Sequence, residues 1–244
     1  MTIKMTIIIP CYNAGQWLTQ CINSALDQTY ENKEVIFVDN ESTDNSLEVA
    51  RSIQKERNEL IISTAPNIYK YSYQEPVEEA LRVATGDYFT IFGADDYAEL
   101  DYIEKVVSIL NAGGDKIRFL QTPVRGIQAD TGNLVGEIKY KYKSLDEFKD
   151  LLFKRCPVTT PTMIFKKELY DKGIIEWNSE EYLGAVDYDV YFRLADHGEF
   201  IYPCPKWLGY YYRWHDGQAT WGMHKETNNY DKMIQDFWRN KWNL

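Results

Sequence analysis

Residues 5–13 read Met5-Thr6-Ile7-Ile8-Ile9-Pro10-Cys11-Tyr12-Asn13. The β-branched run is the signature of a strand buried on both faces. The segments on its carboxyl side decide the fold. From Gln16 to Gln28, apolar residues fall at Trp17, Leu18, Cys21, Ile22, Ala25 and Leu26, one stripe of a helix. Glu34-Val35-Ile36-Phe37-Val38 is a second strand, and a helix over 45–57 has Ser42, Thr43 and Asp44 to cap it. Leu60–Ser63 is a third strand. A Tyr-rich loop runs through Gln74, a helix begun by Pro76 is closed by Gly86, and Tyr88–Phe92 is a fourth strand. The helix from Glu99 to Leu110 completes the series. Strands and helices alternating in this way make βαβ units, and hence a mostly parallel sheet with helices on both faces.

After Gly113-Gly114 the pattern loosens. The sequence predicts strands over 117–124 and 134–138, a helix opened by the Ser144/Glu147 capping box and reaching Phe153, and a strand over 162–165. A helix over 187–196, an aromatic strand over 207–214 and an amphipathic helix over 228–242 complete the chain. No linker or repeat divides it, so one α/β domain with an irregular second half is expected.

Composition narrows the partners. Among 244 residues, 37 Asp and Glu outweigh 27 Lys and Arg, for a net charge of −10, which excludes a nucleic-acid binder working through a general basic field. The four cysteines, Cys11, Cys21, Cys156 and Cys204, form no C-x-x-C pair, and Cys11 and Cys21 read as small core residues. No apolar run approaches the ~20 residues of a membrane span, and the start has no signal-peptide design, so a cytoplasmic location is expected.

The informative acids stand where strands end. In an open parallel sheet, ligands bind beyond the carboxyl ends of the strands. Asp39 follows the second strand, Asp95 and Asp96 follow the fourth, and Asp187 opens a helix far downstream. A lone strand-end Asp is an ordinary turn former or cap, and Asp44 fits that role. Two adjacent carboxylates repel, an arrangement natural when a divalent cation lies between them and bridges to phosphates. A metal would let so acidic a chain bind a nucleotide. Neither G-x-x-x-x-G-K nor a strand-borne G-x-G-x-x-G is present, against a P-loop NTPase or a dinucleotide-dependent dehydrogenase.

Five segments, Ile7–Asn13, Ser24–Tyr30, Val38–Asp44, Ala84–Tyr88 and Ala94–Asp96, together resemble the family 2 glycosyltransferases of the GT-A fold over residues 1 to about 110. Val186–Leu194 looks like that family's acidic helix, and Tyr212-Arg213-Trp214-His215 resembles its closing segment more loosely. The resemblance implies a Rossmann-like GT-A sheet, with residues 1–112 binding a nucleotide-sugar donor and residues 113–244 carrying the acceptor site and the base. It implies inverting transfer from a nucleoside diphosphate sugar, a UDP-sugar first, to a glycan or lipid-linked oligosaccharide in bacterial surface-polysaccharide assembly. By carry-over, Asp39 binds the nucleobase with Pro10, Tyr12 and Asn13 lining its pocket; Asp95 and Asp96 bind Mn²⁺ or Mg²⁺, with Asp95 also serving the donor; Asp187 is the catalytic base.

His215 is either a hydrogen-bonded structural residue or, with Arg213, a contact to the diphosphate or metal. Asn40, Glu41, Gly93 and Val186 depart from the family's usual Asp, Gly, Asp and Glu, and the stretch 69–79 lacks a common Asn. These departures leave a catalytically weakened nucleotide-sugar-binding subunit as an alternative, and a sugar nucleotidyltransferase as a more distant one. The aromatics Tyr182, Tyr188, Trp207, Tyr210, Tyr211, Tyr212, Trp214 and Trp221 serve the core or stack on acceptor sugars. The final helix, with Tyr230, Met233, Ile234, Phe237, Trp238 and Trp242 at helical spacing and Lys232, Arg239 and Lys241 nearby, packs on the domain, joins a homodimer or touches the inner face of the membrane.

Overall fold

The computed structural model describes residues 2–223 and 225–244. The first half alternates as the sequence predicts: β1 (Met5–Cys11), α1 (Gly15–Leu26), β2 (Lys33–Asp39), α2 (Ser46–Glu56), β3 (Leu60–Thr64), α3 (Gln74–Val83), β4 (Tyr88–Ile91), the two-residue β5 (Tyr97–Ala98) and α4 (Tyr102–Gly113). The second half continues with β6 (Phe119–Gln121), β7 (Val124–Gln128), β8 (Leu134–Ile138), α5 (Leu145–Leu152), β9 (Ile164–Lys166), α6 (Lys167–Asp171) and α7 (Ser179–Tyr182). It ends with α8 (Val186–Asp196), β10 (Ile201–Pro203), β11 (Tyr210–Trp214), α9 (Ala219–Met223) and α10 (Tyr230–Trp242).

Seven strands form a sheet in the order β10-β6-β9-β4-β1-β2-β3, parallel except for β9, which runs antiparallel to both neighbours. The isoleucine run of β1 divides by side-chain parity. Ile7 and Ile9 face one core with Leu18, Ile22 and Val106, while Ile8 faces the other with Val77, Phe148 and Tyr191. Helices α1, α2 and α4 therefore cover one face, and α3, α5, α8 and α10 the other. A second, four-stranded sheet, β5-β11-β7-β8, stands beside the first.

Three details depart from expectation. The strand expected over 117–124 is broken, because Pro123 has no N–H to continue a ladder; the chain leaves the large sheet at Gln121 and enters the small one at Val124. The second half is more ordered than its sequence suggests, contributing β6, β9 and β10 to the central sheet, with Phe165 of β9 stacked 4.9 Å from Phe89. Gly86 does not close α3, which ends at Val83 with Ala84 extended. Its role is close approach, since a Cβ there would lie 2.4 Å from Thr6 Oγ1. Among the described residues no helix is long and apolar enough to cross a membrane.

Candidate active site

The parallel strands β1, β2 and β4 are neighbours, so their carboxyl ends bring Tyr12 and Asn13, Asp39, and Asp95 and Asp96 to one edge of the sheet. Asp39 is 4% exposed. Its Oδ2 accepts the N–H of Ser42 at 3.2 Å, and its Oδ1 is buried with no hydrogen-bond partner among the described residues. A buried acceptor without a donor is uncommon and marks a place for one. Tyr12 lies on the adjoining loop with its side chain exposed, and Pro10 is partly buried in β1.

Asn13 adopts a left-handed φ of 55°, and its Oδ1 accepts the N–H groups of Thr43 at 2.7 Å and Asp44 at 3.2 Å. It thus clamps the loop after β2. Asp44 caps more than its own helix: its carboxylate accepts the N–H of Gly15, at the start of α1, and that of Ser46, at the start of α2.

The two acids after β4 divide their work. Asp96 is fully buried; Arg213 N–H donates to it at 2.8 Å and the Tyr210 hydroxyl at 3.1 Å. Burial first, and the neighbouring Asp95 next, push its carboxyl well above the usual carboxylate range. Asp96, expected to ligate a metal, accepts one hydrogen bond on each oxygen and so ties β11 to the end of β4. Asp95 is partly exposed, with its Oδ2 2.8 Å from His215 Nε2. His215 Nδ1 accepts the N–H of Gly217 at 3.2 Å, which puts the ring hydrogen on Nε2, and the Trp17 ring lies against it, 4.1 Å away and tilted by 36°. Gly93, where an Asp is common in the resembled family, leaves room for this pair: a Cβ there would lie 2.7 Å from Asp96 Oδ2 and 2.9 Å from Asp95 Oδ1.

Arg213, expected at the diphosphate, is 6% exposed and donates to the Asp95 carbonyl and to Gln20 of α1. It braces the acidic loop. No three His, Cys, Asp or Glu side chains cluster as a cation site among the described residues. A carboxylate beside an imidazole at an open edge fits a divalent cation that draws most of its oxygen ligands from a bound diphosphate; it does not fit one held by protein alone.

Asp187 lies in a second cluster. Helix α8 begins at Val186, so Asp187 sits within its first turn and does not cap it. The Thr160 hydroxyl donates to Oδ2 and the Tyr188 N–H to Oδ1 at 2.7 Å. Burial pushes the carboxyl up to about 6, against the pull of those two donors. Val186, in place of the usual Glu, is fully buried. The helix is buttressed by α10, where Trp238 Nε1 donates to the buried Asp189 at 2.7 Å and Arg193 completes that carboxylate's shell at 2.6 Å. Of the aromatics in this half, Tyr182, Tyr188 and Tyr210 are core, and Trp214 pairs edge-on with the exposed Trp221.

Sequence reasoning missed Gln20, Thr160 and Trp238. Gln20 and Trp238 lie on helices and Thr160 in a Thr-Pro-rich turn, where no local pattern singles them out. Asn40 was legible only as a departure. Its Nδ2 donates to the carbonyls of Ala65, at 3.3 Å, and Pro66, at 2.8 Å, which an Asp there could not do.

The model of the family described as Glycosyl transferase family 2 matches residues 6–174, more than half of the chain. The chain is 29% identical over 241 residues to an uncharacterized glycosyltransferase of Haemophilus influenzae, covering 95% of this chain and 72% of that one. Its fold is similar to that of S. aureus TarS 1-349, solved with UDP-GlcNAc, with a TM-score of 0.71 at 20% identity, covering 93% of this chain and 62% of that one. It is also similar to the mannosyltransferase PcManGT of Pyrobaculum calidifontis, solved with GDP-Man and Mn²⁺, with a TM-score of 0.64 at 18% identity, covering 91% and 60%. The chain spans about a third of the length of three further curated relatives. At these identities the solved structures establish the α/β fold with its mostly parallel sheet.

Proposed function

The chain belongs to glycosyl transferase family 2, and on that premise we propose that it is an inverting transferase. It moves a sugar from a nucleoside diphosphate, UDP in the first instance, to a hydroxyl of a glycan or lipid-linked oligosaccharide in bacterial surface-polysaccharide assembly. Residues 1–112 form its donor half and residues 113–244 its acceptor half, and it works in the cytoplasm.

One observation carries the reading: Asp39 Oδ1, a buried acceptor with no partner among the described residues at the carboxyl end of β2. An imide N–H of uracil, or the N1–H of guanine, donated to Oδ1 would satisfy it. Pro10 and Tyr12 flank the base, while Asn13 holds the loop that carries Ser42.

In the reaction, the acceptor oxygen attacks the anomeric carbon from the face opposite the diphosphate. The bond to the diphosphate oxygen breaks with its electron pair leaving on the phosphate, and the hydroxyl proton passes to Asp187. A carboxyl pushed up to about 6 is ionised at neutral pH and more basic than an ordinary aspartate, which suits that transfer. Mn²⁺ or Mg²⁺, when bound at Asp95 beside His215, supplies charge neutralisation for the departing diphosphate. Arg213 keeps the Asp95 loop in place through its carbonyl.

The departures at Asn40 and Gly93 have structural uses. The test is calorimetric titration with UDP and Mn²⁺, together with release of nucleoside diphosphate from a panel of UDP-, GDP- and dTDP-sugars. Asp39→Ala is expected to weaken UDP binding roughly tenfold or more, as for a lost charged hydrogen bond. Unchanged affinity would remove Asp39 from the nucleotide site.

A further inference from the structure

We infer that Thr160 is a positioning residue for the base: its hydroxyl, itself held by Tyr191, fixes the Asp187 carboxylate in the orientation from which it accepts a proton. The inference rests on the reading of Asp187 as the base. The Tyr191 hydroxyl donates to Thr160 Oγ1 at 2.9 Å, and Thr160 donates to Asp187 Oδ2. A threonine hydroxyl has a single hydrogen. With Tyr191 donating to its oxygen, Thr160 has that hydrogen committed to the carboxylate.

The polarity of this relay is fixed by burial. Tyr191 is fully buried, and desolvation holds its phenol far above its ordinary range, so it remains a donor. The turn that presents Thr160 is also fixed. The hydroxyls of Thr159 and Thr162 reach the carbonyl of Thr122 at 3.0 and 2.7 Å, and Thr122 lies where the chain crosses between the two sheets. Each Asp187 oxygen thus has one fixed donor, Thr160 or the Tyr188 N–H, and retains lone pairs for an incoming hydroxyl.

The other titratable groups facing Asp187 are Tyr73 ahead of α3, Tyr191 on its own helix, Cys156 beyond α5 and Asp231 on α10. Burial raises the first three, which keeps them neutral, and Asp231 disfavours the Asp187 anion. Among these side chains Thr160 is the one that donates to the carboxylate.

The experiment is a ¹³C titration of labelled aspartate carboxyls in the intact protein, with the Asp187 signal assigned by its loss in Asp187→Asn. It is paired with nucleoside diphosphate release from the sugar-nucleotide panel with Mn²⁺. Thr160→Val is expected to raise the Asp187 midpoint by roughly one pH unit, as for one lost hydrogen bond. It should move the acid limb of the rate upward equally and lower turnover about tenfold, with UDP affinity unchanged. Thr160→Ser restores all three, and Tyr191→Phe gives a smaller shift of the same sign. An unmoved midpoint in Thr160→Val, with Asp187→Asn inactive, overturns the positioning role alone. Full turnover in Asp187→Asn overturns the base reading itself. If Thr160→Val does not fold, an unmoved midpoint in Tyr191→Phe is decisive against the relay.

Discussion

Asp96 and Asp187 are two carboxylates pushed upward mainly by burial, one at a strand end and one in the first turn of a helix, and their surroundings differ. Asp96 has no exposure, and each oxygen accepts one hydrogen bond from β11, so it joins two parts of the fold. Asp187 is partly exposed and has one fixed partner per oxygen. Desolvation alone does not make a carboxylate functional. The two are separated by exposure, which is nil at Asp96 and partial at Asp187.

The comparison breaks most visibly at Asp187. Asp187→Asn should lower turnover by about a thousandfold, within the range for loss of a general base, with UDP affinity retained. The same variant should be more stable than the parent at pH 8. A carboxyl whose folded value is raised, here to about 6, contributes stability that is complete below its unfolded value near 3.8 and lost as pH rises through about 6. Melting temperatures of parent and variant should therefore converge at pH 4 and separate at pH 8. Identical curves at both pH values would show that Asp187 carries no burial cost.

Asp96 should fail in stability instead of chemistry. Asp96→Ala leaves the Arg213 N–H and the Tyr210 hydroxyl without their buried acceptor, at about 1–3 kcal/mol for each orphaned group. A loss of about 2–4 kcal/mol in urea unfolding is expected. A loss below ~0.5 kcal/mol, the scale of an ordinary surface change, would mean that Asp96 is not an anchor.

The contrast also explains why some of the site was legible in the sequence and some was not. Strand-end acids follow apolar runs directly, so Asp39, Asp95 and Asp96 could be located once Val35–Val38 and Phe89–Phe92 were read as strands. The βαβ order was equally readable, because strands and helices differ in apolar period. The supports around Asp187 and Asp95 link residues far apart in the chain: Thr160 and Asp187 by 27 positions, Trp238 and Asp189 by 49, Gln20 and Arg213 by 193. No local pattern encodes such pairs. The break at Pro123 was visible as a residue, but not as a change of sheet, since the apolar runs on either side share one period.

Asn40 offers a sharper probe of the strand-end region, because its departure from the resembled pattern suggested weakened chemistry and its contacts are structural. Asn40→Asp replaces a buried donor between the carbonyls of Ala65 and Pro66 with a third acceptor. The expected cost is about 1–3 kcal/mol, or roughly 2–10 °C in melting temperature for a chain of this size. UDP affinity measured well below the new melting point should be kept. A stability-neutral Asn40→Asp with altered affinity would move Asn40 from the scaffold into the nucleotide site.

The smallest effect is expected one residue further on. Glu41 holds a φ of 57°, where the resembled family commonly has glycine. A non-glycine residue in that region costs about 1–2 kcal/mol, which glycine would relieve. Against this, glycine loses about 0.5–1 kcal/mol more backbone entropy on folding, and Glu41→Gly also removes the acceptor for the exposed Asn67 N–H at 3.1 Å. The opposing terms leave a net change below about 1 kcal/mol, a melting shift of no more than about 4 °C. Glu41 is exposed and its side chain turns toward Asn67, so nucleotide affinity should also be unchanged. A larger rise in stability would mean that the Asn67 contact contributes little and that the strain at this strand end is uncompensated. A larger fall would make that contact a structural tie comparable to those of Asn40.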